Sequence, residues 1–276
     1  MNALLLGLLA ETNVHAGAGG SGGLIDLPVA REAATDYPYV PGSSLKGALS
    51  QWSQNAGLDD RTRKRLFGEQ ENAGTLLVSD LRLLLLPIRS LDTAYKWATC
   101  PHLIERLGRD SARTGTSETI PAIEIKSGEY CGEPIADDLP LFLEERQFRP
   151  SLPLPASVVP LILRLLPTGS EHANTRSRLS SQLVVIDDGD FVWFCRNGLS
   201  VAARNVLNER SKISENLWYE ESLPSDTLLY AIIAERVVGA LDDLRRAVTQ
   251  QRFIQVGGNE TVGMGWLTMR LVGAPQ

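Results

Sequence analysis

Apolar residues in the first third of the chain form one continuous run and several stretches of helical spacing. The run Ala3–Ala10 predicts a buried first strand. Leu45 and Leu49 recur at the spacing of a helix face, and the Ser43–Ser44 pair before them supplies the predicted N-cap. The same patterns predict four further elements, namely a helix over Asp59–Phe67, strands over Leu76–Asp80 and Arg82–Ile88, and a short helix over Pro101–Arg109.

The periodicity weakens between residues 111 and 182, where eight prolines interrupt it, and this stretch is predicted to be an insertion of short helices. Beyond it, Leu183–Ile186 and Phe191–Cys195 flank the turn-like residues 187–190 and predict two strands. Residues 204–223 predict a protruding hairpin, because apolar residues resume after a polar turn. The remaining predicted elements are a strand over Thr227–Arg236, an amphipathic helix over Val237–Gln251, and strands over Phe253–Val256 and Trp266–Val272.

This order of elements predicts an α+β fold with a ferredoxin-like (RRM-like) sheet that carries helical insertions and a hairpin. A chain of 276 residues with 43% hydrophobic residues is long enough to bury one substantial core. We therefore expect a single domain, with the sheet built from 1–110 and 183–276 and the insertion over about 111–182.

The charge composition argues against a generic nucleic-acid-binding protein, because the net charge is −6 and such proteins are usually basic. The cations are nevertheless 22 arginines and only 5 lysines. Arginine has a planar fork that suits phosphates, although a GC-rich genome also produces this bias. An acidic chain still binds RNA if its basic groups share one face.

Neither an export signal nor a membrane segment is predicted from the sequence. No apolar run reaches the roughly 18 residues that cross a bilayer, and Met1–Ala10 lacks a basic start and a cleavage site. The three cysteines are far apart and have no metal-type spacing. These features predict a cytoplasmic protein without a membrane partner.

Five glycines lie between residues 17 and 23, and they match the pattern G-x-G-x-x-G after a strand. A dinucleotide-binding fold would require a helix to begin at these glycines, and Pro28 does not allow a helix to continue. The nicotinamide interpretation is therefore disfavoured. The loop either wraps closely around a ligand backbone or is flexible.

Two other segments suggest contact with phosphates. The residues from Pro41 to Gly47 place two serine hydroxyls, free backbone N–H groups and the Lys46 ammonium at a helix start. An ordinary N-cap with a solvated lysine explains the same residues equally well. A second glycine loop, from Gly257 to Gly265, lies near the end of the chain.

A few acidic and histidine residues are candidates for chemistry. Asp26 stands in a glycine-flanked loop, where a carboxylate positions a divalent cation or takes a proton from a ribose hydroxyl. His15 is a candidate acid or base, and it equally suits stacking on a base or an inert place at a strand end. A loop aspartate without a chemical task likewise explains Asp26. The adjacent pair Glu220 and Glu221 is either an accessory acidic site that helps to hold a metal or a solvated strand end. Motifs of zinc peptidases and serine hydrolases are absent from the sequence.

Taken together, these residues resemble a known family, the RAMP-type backbone subunits of the type III-B (Cmr) CRISPR effector complex, known as the fourth Cmr subunit. The resemblance spans nearly the whole length and is weakest over 111–182. It rests on the blocks L-L-L-G-L-L-A-E-T-N-V-H-A-G at 4–17, G-G-L-I-D-L-P-V-A-R-E at 22–32, Y-V-P-G-S-S-L-K-G-A-L at 39–49, L-W-Y-E-E-S-L-P at 217–224 and Q-V-G-G-N-E-T-V-G-M-G-W at 255–266.

The resemblance implies a palm built on an RNA-binding sheet, with finger-like insertions and a thumb hairpin at about 204–223. Several copies would stack head to tail along a CRISPR guide RNA, together with other Cmr subunits. Each thumb would displace one base at a regular interval, and the complementary target RNA would pair between the thumbs. The family is also expected to cleave the target RNA with a divalent metal ion, Mg²⁺ or Mn²⁺. Two alternatives stay open, namely a guide-RNA scaffold without nuclease activity and the equivalent subunit of a Csm-type complex.

The family's catalytic aspartate falls on Asp26, the metal-holding candidate, and its N-terminal histidine falls on His15. Lys46 is expected on the guide backbone. The residues predicted to bind RNA are Ser43, Ser44, Lys46, Gly17, Gly19, Gly20, Gly257, Gly258 and Asn259. The prediction requires both glycine loops and the start of the first helix to converge on one trough.

Overall fold

The computed structural model describes residues 2–20, 23–116, 120–135, 139–208 and 210–273. The strands over these residues are β1 (Ala3–Ala10), β2 (Tyr39–Val40), β3 (Gly68–Glu69), β4 (Asn72–Ala73), β5 (Leu76–Val78), β6 (Leu81–Arg89), β7 (Tyr95–Thr99), β8 (Glu129–Gly132), β9 (Leu141–Leu143), β10 (Arg146–Pro150), β11 (Leu183–Ile186), β12 (Ser200–Leu207), β13 (Ser214–Ser222), β14 (Leu228–Glu235), β15 (Phe253–Gln255) and β16 (Trp266–Val272). The helices are α1 (Gly42–Asn55), α2 (Asp60–Phe67), α3 (Pro101–Arg113), α4 (Val158–Leu163), α5 (Ala173–Gln182), α6 (Asp188–Asn197) and α7 (Ala240–Gln250).

One large mixed sheet organises the molecule, in the order β15-β16-β1-β14-β6-β7-β11-β8-β10-β9. The four strands β16, β1, β14 and β6 are antiparallel neighbours, whereas β7 runs parallel to β11 and β8 parallel to β10. Helix α1 lies in the chain between β1 and β6, and α7 lies between β14 and β16. The predicted mixture of helices and a sheet is therefore present.

The central strand β1 is buried on both faces of the sheet, which explains its continuous apolar sequence. Leu4, Leu6 and Leu8 belong to one core cluster, and Leu5 and Leu9 belong to another. The chain at Leu165 crosses over Gly7 so closely that a side chain at Gly7 would collide with the backbone. This glycine allows the crossing segment to pack onto the sheet.

Residues 191–195 form a helix, so the predicted strand Phe191–Cys195 is wrong. The Asp187 side chain accepts hydrogen bonds from the backbone N–H groups of Gly189 and Asp190, which caps the start of α6. Phe191, Phe194 and Cys195 are buried on one face of that helix. Aspartate and glycine favour both turns and helix caps, and here burial of this face favours the helix.

The first helix also begins differently from the prediction. Helix α1 starts at Gly42 with Pro41 at its N-cap, so neither serine caps it. Instead, Asp80 accepts a hydrogen bond from the Gly42 N–H at 2.7 Å. A carboxylate from a turn 38 residues away thus supplies the cap, and both serine side chains are exposed.

The hairpin predicted at 204–223 consists of β12 and β13, and its arms pair from Ser200 with Ser222 onward. The paired region therefore starts four residues earlier than predicted. The segment 111–182 contributes β8, β9 and β10 to the large sheet, as well as α4 and α5. The division into palm, insertion and thumb stays a prediction. No helix of the described residues is long and apolar enough to cross a membrane.

Candidate RNA-binding and cleavage site

Both glycine loops and the first helix line a common depression, which we call the glycine trough. Its lining includes His15, Gly17, Ser44, Gly47, Gly257 and Gly258. None of the described residues that line it is Asp, Glu, Lys or Arg. The sequence predicted this convergence, and the trough is a surface of exposed backbone and small side chains that a polyanion can approach closely.

The two loops touch through their backbones. The Gly258 N–H donates to the His15 carbonyl at 2.9 Å, and the Gly265 N–H donates to the Asn13 carbonyl at 2.7 Å. Gly257 has a φ of 94°, and a side chain there would collide with the His15 carbonyl. Glycine is therefore required at this position both by conformation and by space.

The remaining residues predicted to bind RNA lie around the trough. Gly19 and Gly20 are exposed beside it, with open space where a side chain would be. Ser43 and Lys46 are on α1 but outside the lining. The Asn259 side-chain amide donates to Glu220, so this residue connects the second glycine loop to β13.

His15 is held with a defined ring orientation. Its Nδ1 lies 2.7 Å from the Glu221 carbonyl, and since a carbonyl only accepts, Nδ1 carries the proton. The other ring nitrogen, Nε2, points toward Gly17, where an added Cβ would lie 2.9 Å away. The ring is buried and lines the trough.

Asp26 contacts β13 at Tyr219, two residues before the Glu221 carbonyl that binds His15. The Tyr219 N–H donates to Asp26 Oδ2 at 2.8 Å, and the Asp26 side chain is otherwise exposed. Leu27 continues this contact, because its N–H donates to the Tyr219 carbonyl and its carbonyl accepts from the Glu221 N–H. Both predicted catalytic residues therefore contact the edge of β13 that does not pair with β12, at the base of the hairpin.

The Glu221 side chain secures the loop that contains Asp26. It is 2% exposed, its Oε1 accepts from Arg31 at 2.7 Å, and its Oε2 accepts from the Val29 N–H at 3.0 Å. Arg31 also donates to the Cys195 carbonyl at 2.5 Å. Both Glu221 oxygens are thus engaged by protein groups, which makes the carboxylate a structural anchor.

Glu220 is also buried and has protein partners. It accepts from Asn259, and it lies 3.8 Å from Arg204 and 3.8 Å from His15 Nδ1. Among the described residues, no group of three or more His, Cys, Asp or Glu is arranged to hold a metal ion. Neither acid of this pair is a solvated strand end, and Asp26 is the candidate carboxylate that remains exposed.

Reasoning from the sequence missed the role of Arg31 and Asp80, which position the Asp26 loop and the start of α1. The available signal for Arg31 was its place in the block L-P-V-A-R-E after Asp26. The glycines at 17–20 do not begin a helix, and residues 27–31 make isolated bridges, which also removes the dinucleotide-binding interpretation. Ser21 and Gly22 of that motif lie outside the described residues.

Comparisons with known proteins identify the family of this chain. A model of the RAMP superfamily matches residues 8–268. The chain belongs to the RAMP superfamily. Within this superfamily, it is 31% identical over 290 residues to the CRISPR system Cmr endoribonuclease Cmr4 of Pyrococcus furiosus, covering 98% of this chain and 96% of that protein. That identity and coverage also place it in the Cmr4 family.

Solved structures of this RAMP family have the same fold. The crystal structure of oligomeric Cmr4 from Pyrococcus furiosus has a TM-score of 0.78 and 25% identity, and it covers 100% of both chains. A chain of the type III-B Cmr-beta complex bound to cognate target RNA has a TM-score of 0.77 and covers 98% of this chain and 97% of its own length. At 20% identity, the second match shows the fold alone.

Proposed function

We propose that this chain is a guide-RNA-binding backbone subunit of a type III-B CRISPR effector complex that cleaves target RNA complementary to the guide. The observation that carries the proposal is the convergence of both glycine loops and α1 on one uncharged trough, beside a hairpin base that holds His15 and Asp26. The relationship to an endoribonuclease of the Cmr complex supports it.

In this proposal the palm is ferredoxin-like. The strands β16, β1, β14 and β6, with α1 and α7 as connections, have the order expected of a split βαβ sheet. The hairpin of β12 and β13 is the thumb that displaces a base at regular intervals. Other copies of the chain stack head to tail, and the remaining Cmr subunits join this stack. The crystal structure of oligomeric Cmr4 supports the association of copies.

The glycine trough holds the guide RNA mainly through its backbone. A guide is gripped by phosphates and 2′-hydroxyls, because base pairing with the target carries the sequence information. Glycine loops allow the main chain to approach the phosphates, and the Ser44 hydroxyl lies in the same wall. Lys46, one residue outside the lining on α1, adds the positive charge.

Cleavage depends on Asp26 in this proposal. The Tyr219 N–H orients one carboxylate oxygen, which leaves the exposed side to accept the proton from a target 2′-hydroxyl. The 2′-oxygen then bonds to the adjacent phosphorus, and the 5′-oxygen leaves with its electron pair and takes a proton from solvent. The products are a 2′,3′-cyclic phosphate and a 5′-hydroxyl.

The donor set fits a metal ion only in part. A Mg²⁺ ion is commonly bound through one or two carboxylates and substrate phosphates, and Asp26 is a single exposed carboxylate. Asp26 would therefore hold Mg²⁺ or Mn²⁺ together with RNA, and the ion would stabilise the charge that develops on the phosphate.

The test is Asp26→Asn in the assembled complex, because asparagine still accepts from the Tyr219 N–H. Loss of the base should reduce target cleavage by roughly 100-fold or more and leave guide and target binding unchanged. Asp60→Asn, an exposed carboxylate on α2, is the matched control. Wild-type cleavage by Asp26→Asn would show that Asp26 does not act.

A structural scaffold without nuclease activity is the second candidate, since it would use the same RNA-binding trough and would differ only in the role of Asp26. The wild-type complex distinguishes the two functions. An enzyme cleaves the complementary RNA with Mg²⁺ or Mn²⁺ and stops when a chelator is added, whereas a scaffold binds the same RNA and leaves it intact.

A further inference from the structure

A second polar depression lies at the end of β16 remote from the glycine loop, and we call it the arginine groove. It is lined by Arg245, Arg252 and Arg270, and by the hydroxyl-bearing residues Thr168 and Thr249. Arg270 is four residues along β16 from Trp266, which follows the glycine loop, so about 13 Å separates the two positions. The groove is thus distinct from the trough.

Two of the three groove arginines have no ion-pair partner among the described residues. Among the ion pairs of the described residues, none includes Arg252 or Arg270, whereas Arg245 pairs with Asp242 at 3.1 Å. The Arg270 Nη1 donates to the Thr168 hydroxyl at 3.2 Å, and its Nε is buried without an acceptor in the part of the chain that the structure describes. Arg106, by contrast, has a carboxylate partner in Glu32.

A fourth arginine, Arg176, strengthens the positive potential. Burial lowers the pKa of Arg270, and repulsion from Arg176 and Arg252 lowers it further. Arg176 is fixed nearby, because its guanidinium donates to the carbonyls of Leu163 and Leu166 at 2.7 and 3.0 Å. Three cations in this arrangement repel one another, and a bound anion would relieve that repulsion.

Asp242 pairs with Arg245 but does not line the groove, and two other acidic groups around this cluster also have partners elsewhere. Glu171 interacts with Arg252, but it lies beside His172 at 3.4 Å and does not line the groove. Glu11 accepts from the His172 ring at 2.8 Å and from the Thr268 hydroxyl. Both carboxylates therefore have other partners, and none lies in the groove itself.

We propose that the arginine groove binds a phosphate group of RNA outside the glycine trough. Guanidinium forks from α7, from the connection between α7 and β15 and from β16 converge there with the hydroxyls of Thr168 and Thr249, which offers more donors than the two oxygens of a carboxylate need. A phosphate presents more acceptor oxygens, and arginine matches its geometry. The proposal does not depend on cleavage at Asp26.

The test compares Arg252→Gln with Arg89→Gln in the full chain. Arg252 is exposed, so its substitution should not unfold the protein. Arg89 is also exposed and pairs with Glu144, so Arg89→Gln removes the same charge outside the groove. Binding of single-stranded RNA is measured by fluorescence anisotropy over a range of salt concentrations. Arg252→Gln should bind about tenfold more weakly than the control, with a salt slope smaller by about 0.7.

Inorganic phosphate supplies the second arm, read as protection against thermal unfolding. If Arg252→Gln weakens RNA binding and leaves the protection by inorganic phosphate unchanged, the groove binds the RNA backbone. If Arg252→Gln loses only the protection by inorganic phosphate, the groove binds free phosphate and the assignment to RNA is overturned. Equal behaviour of both variants overturns the proposal. So does a result in which Arg252→Gln changes only the association of copies in sedimentation, because the groove is then a protein interface.

Discussion

Removing the buried charge of Glu221 should both destabilise the protein and release the loop that carries Asp26. Glu221→Gln retains the size of the side chain, but it leaves Arg31 without its counterion. Arg31 lies 2.7 Å from Glu221, and the two side chains are 20% and 2% exposed. Val29, three residues after Asp26, is anchored by the same carboxylate.

The expected magnitude follows from this burial. Two unit charges about 4 Å apart attract by about 4 kcal/mol at the effective dielectric of a protein, and desolvation offsets part of this. Breaking such a pair by removing one partner costs about 3–5 kcal/mol when both groups are buried. Because Arg31 is partly exposed, we expect the free energy of unfolding to fall by about 3 kcal/mol.

The assay is a double-mutant cycle in urea with Arg31→Gln and Glu221→Gln. Its control is a cycle on Arg89 and Glu144, a pair at 2.8 Å whose side chains are 75% and 26% exposed. We expect a coupling energy of about 2 kcal/mol for the buried pair and below about 1 kcal/mol for the exposed pair. Equal couplings would refute the argument from burial.

The cycle has a functional arm in the assembled complex. Glu221→Gln should slow target cleavage while guide binding stays unchanged, because the loop with Asp26 loses its anchor. If this variant is destabilised and yet cleaves at the wild-type rate, the ion pair does not position Asp26.

Gly257→Ala should destabilise the protein more than Gly263→Ala does. Both glycines have a positive φ, but only at Gly257 would the new side chain collide with the backbone. Equal free energies of unfolding in urea for the two variants would contradict this prediction. Lys46→Ala should weaken guide binding with little sequence dependence and reduce its salt slope, and an unchanged slope in a filter-binding titration would exclude a phosphate contact. Burial raises the pKa of Glu32, but hydrogen bonds from Arg106 and a neighbouring threonine, together with the arginine charges, lower it by more. The net pKa therefore lies below the usual 4.5. The stabilisation from ionised Glu32 is thus present above pH 4.5 and is lost as the pH falls through the lowered pKa. In Glu32→Gln, the free energy of unfolding measured in urea should depend less on pH over this acid range. A pH dependence identical to that of the wild type would argue against this role.

Elements with a strong local pattern were predictable from the sequence. The bounds of β1 and of β16 agree with the prediction, and α2 begins one residue later than predicted. Each depends on apolar periodicity and caps within a few residues. A strand was wrongly predicted within α6 because Asp187 suits a turn as well as a helix cap. The packing of Phe191 and Phe194 in the core favours the helix.

The candidate site was predictable only in part. The identity of the RAMP family pointed to Asp26, His15 and the glycine loops, and the structure brings the loops together across 240 residues of sequence. The functional roles of these residues stay predictions. The pair Glu220 and Glu221 was predicted to be either an accessory acidic site or a solvated strand end. In the structure both side chains are buried and have protein partners, and a metal-holding role stays a prediction.

Local residue patterns were thus sufficient to place many strands and helices, because the apolar periodicity and the caps that indicate them span only a few residues. The partners of the charged groups were beyond the reach of such patterns. Arg31 meets Glu221 from 190 residues away, and Arg252 and Arg270 converge on a groove without a carboxylate. The composition reports 22 arginines, but folding alone sets which of them are neutralised and which are available to an anion.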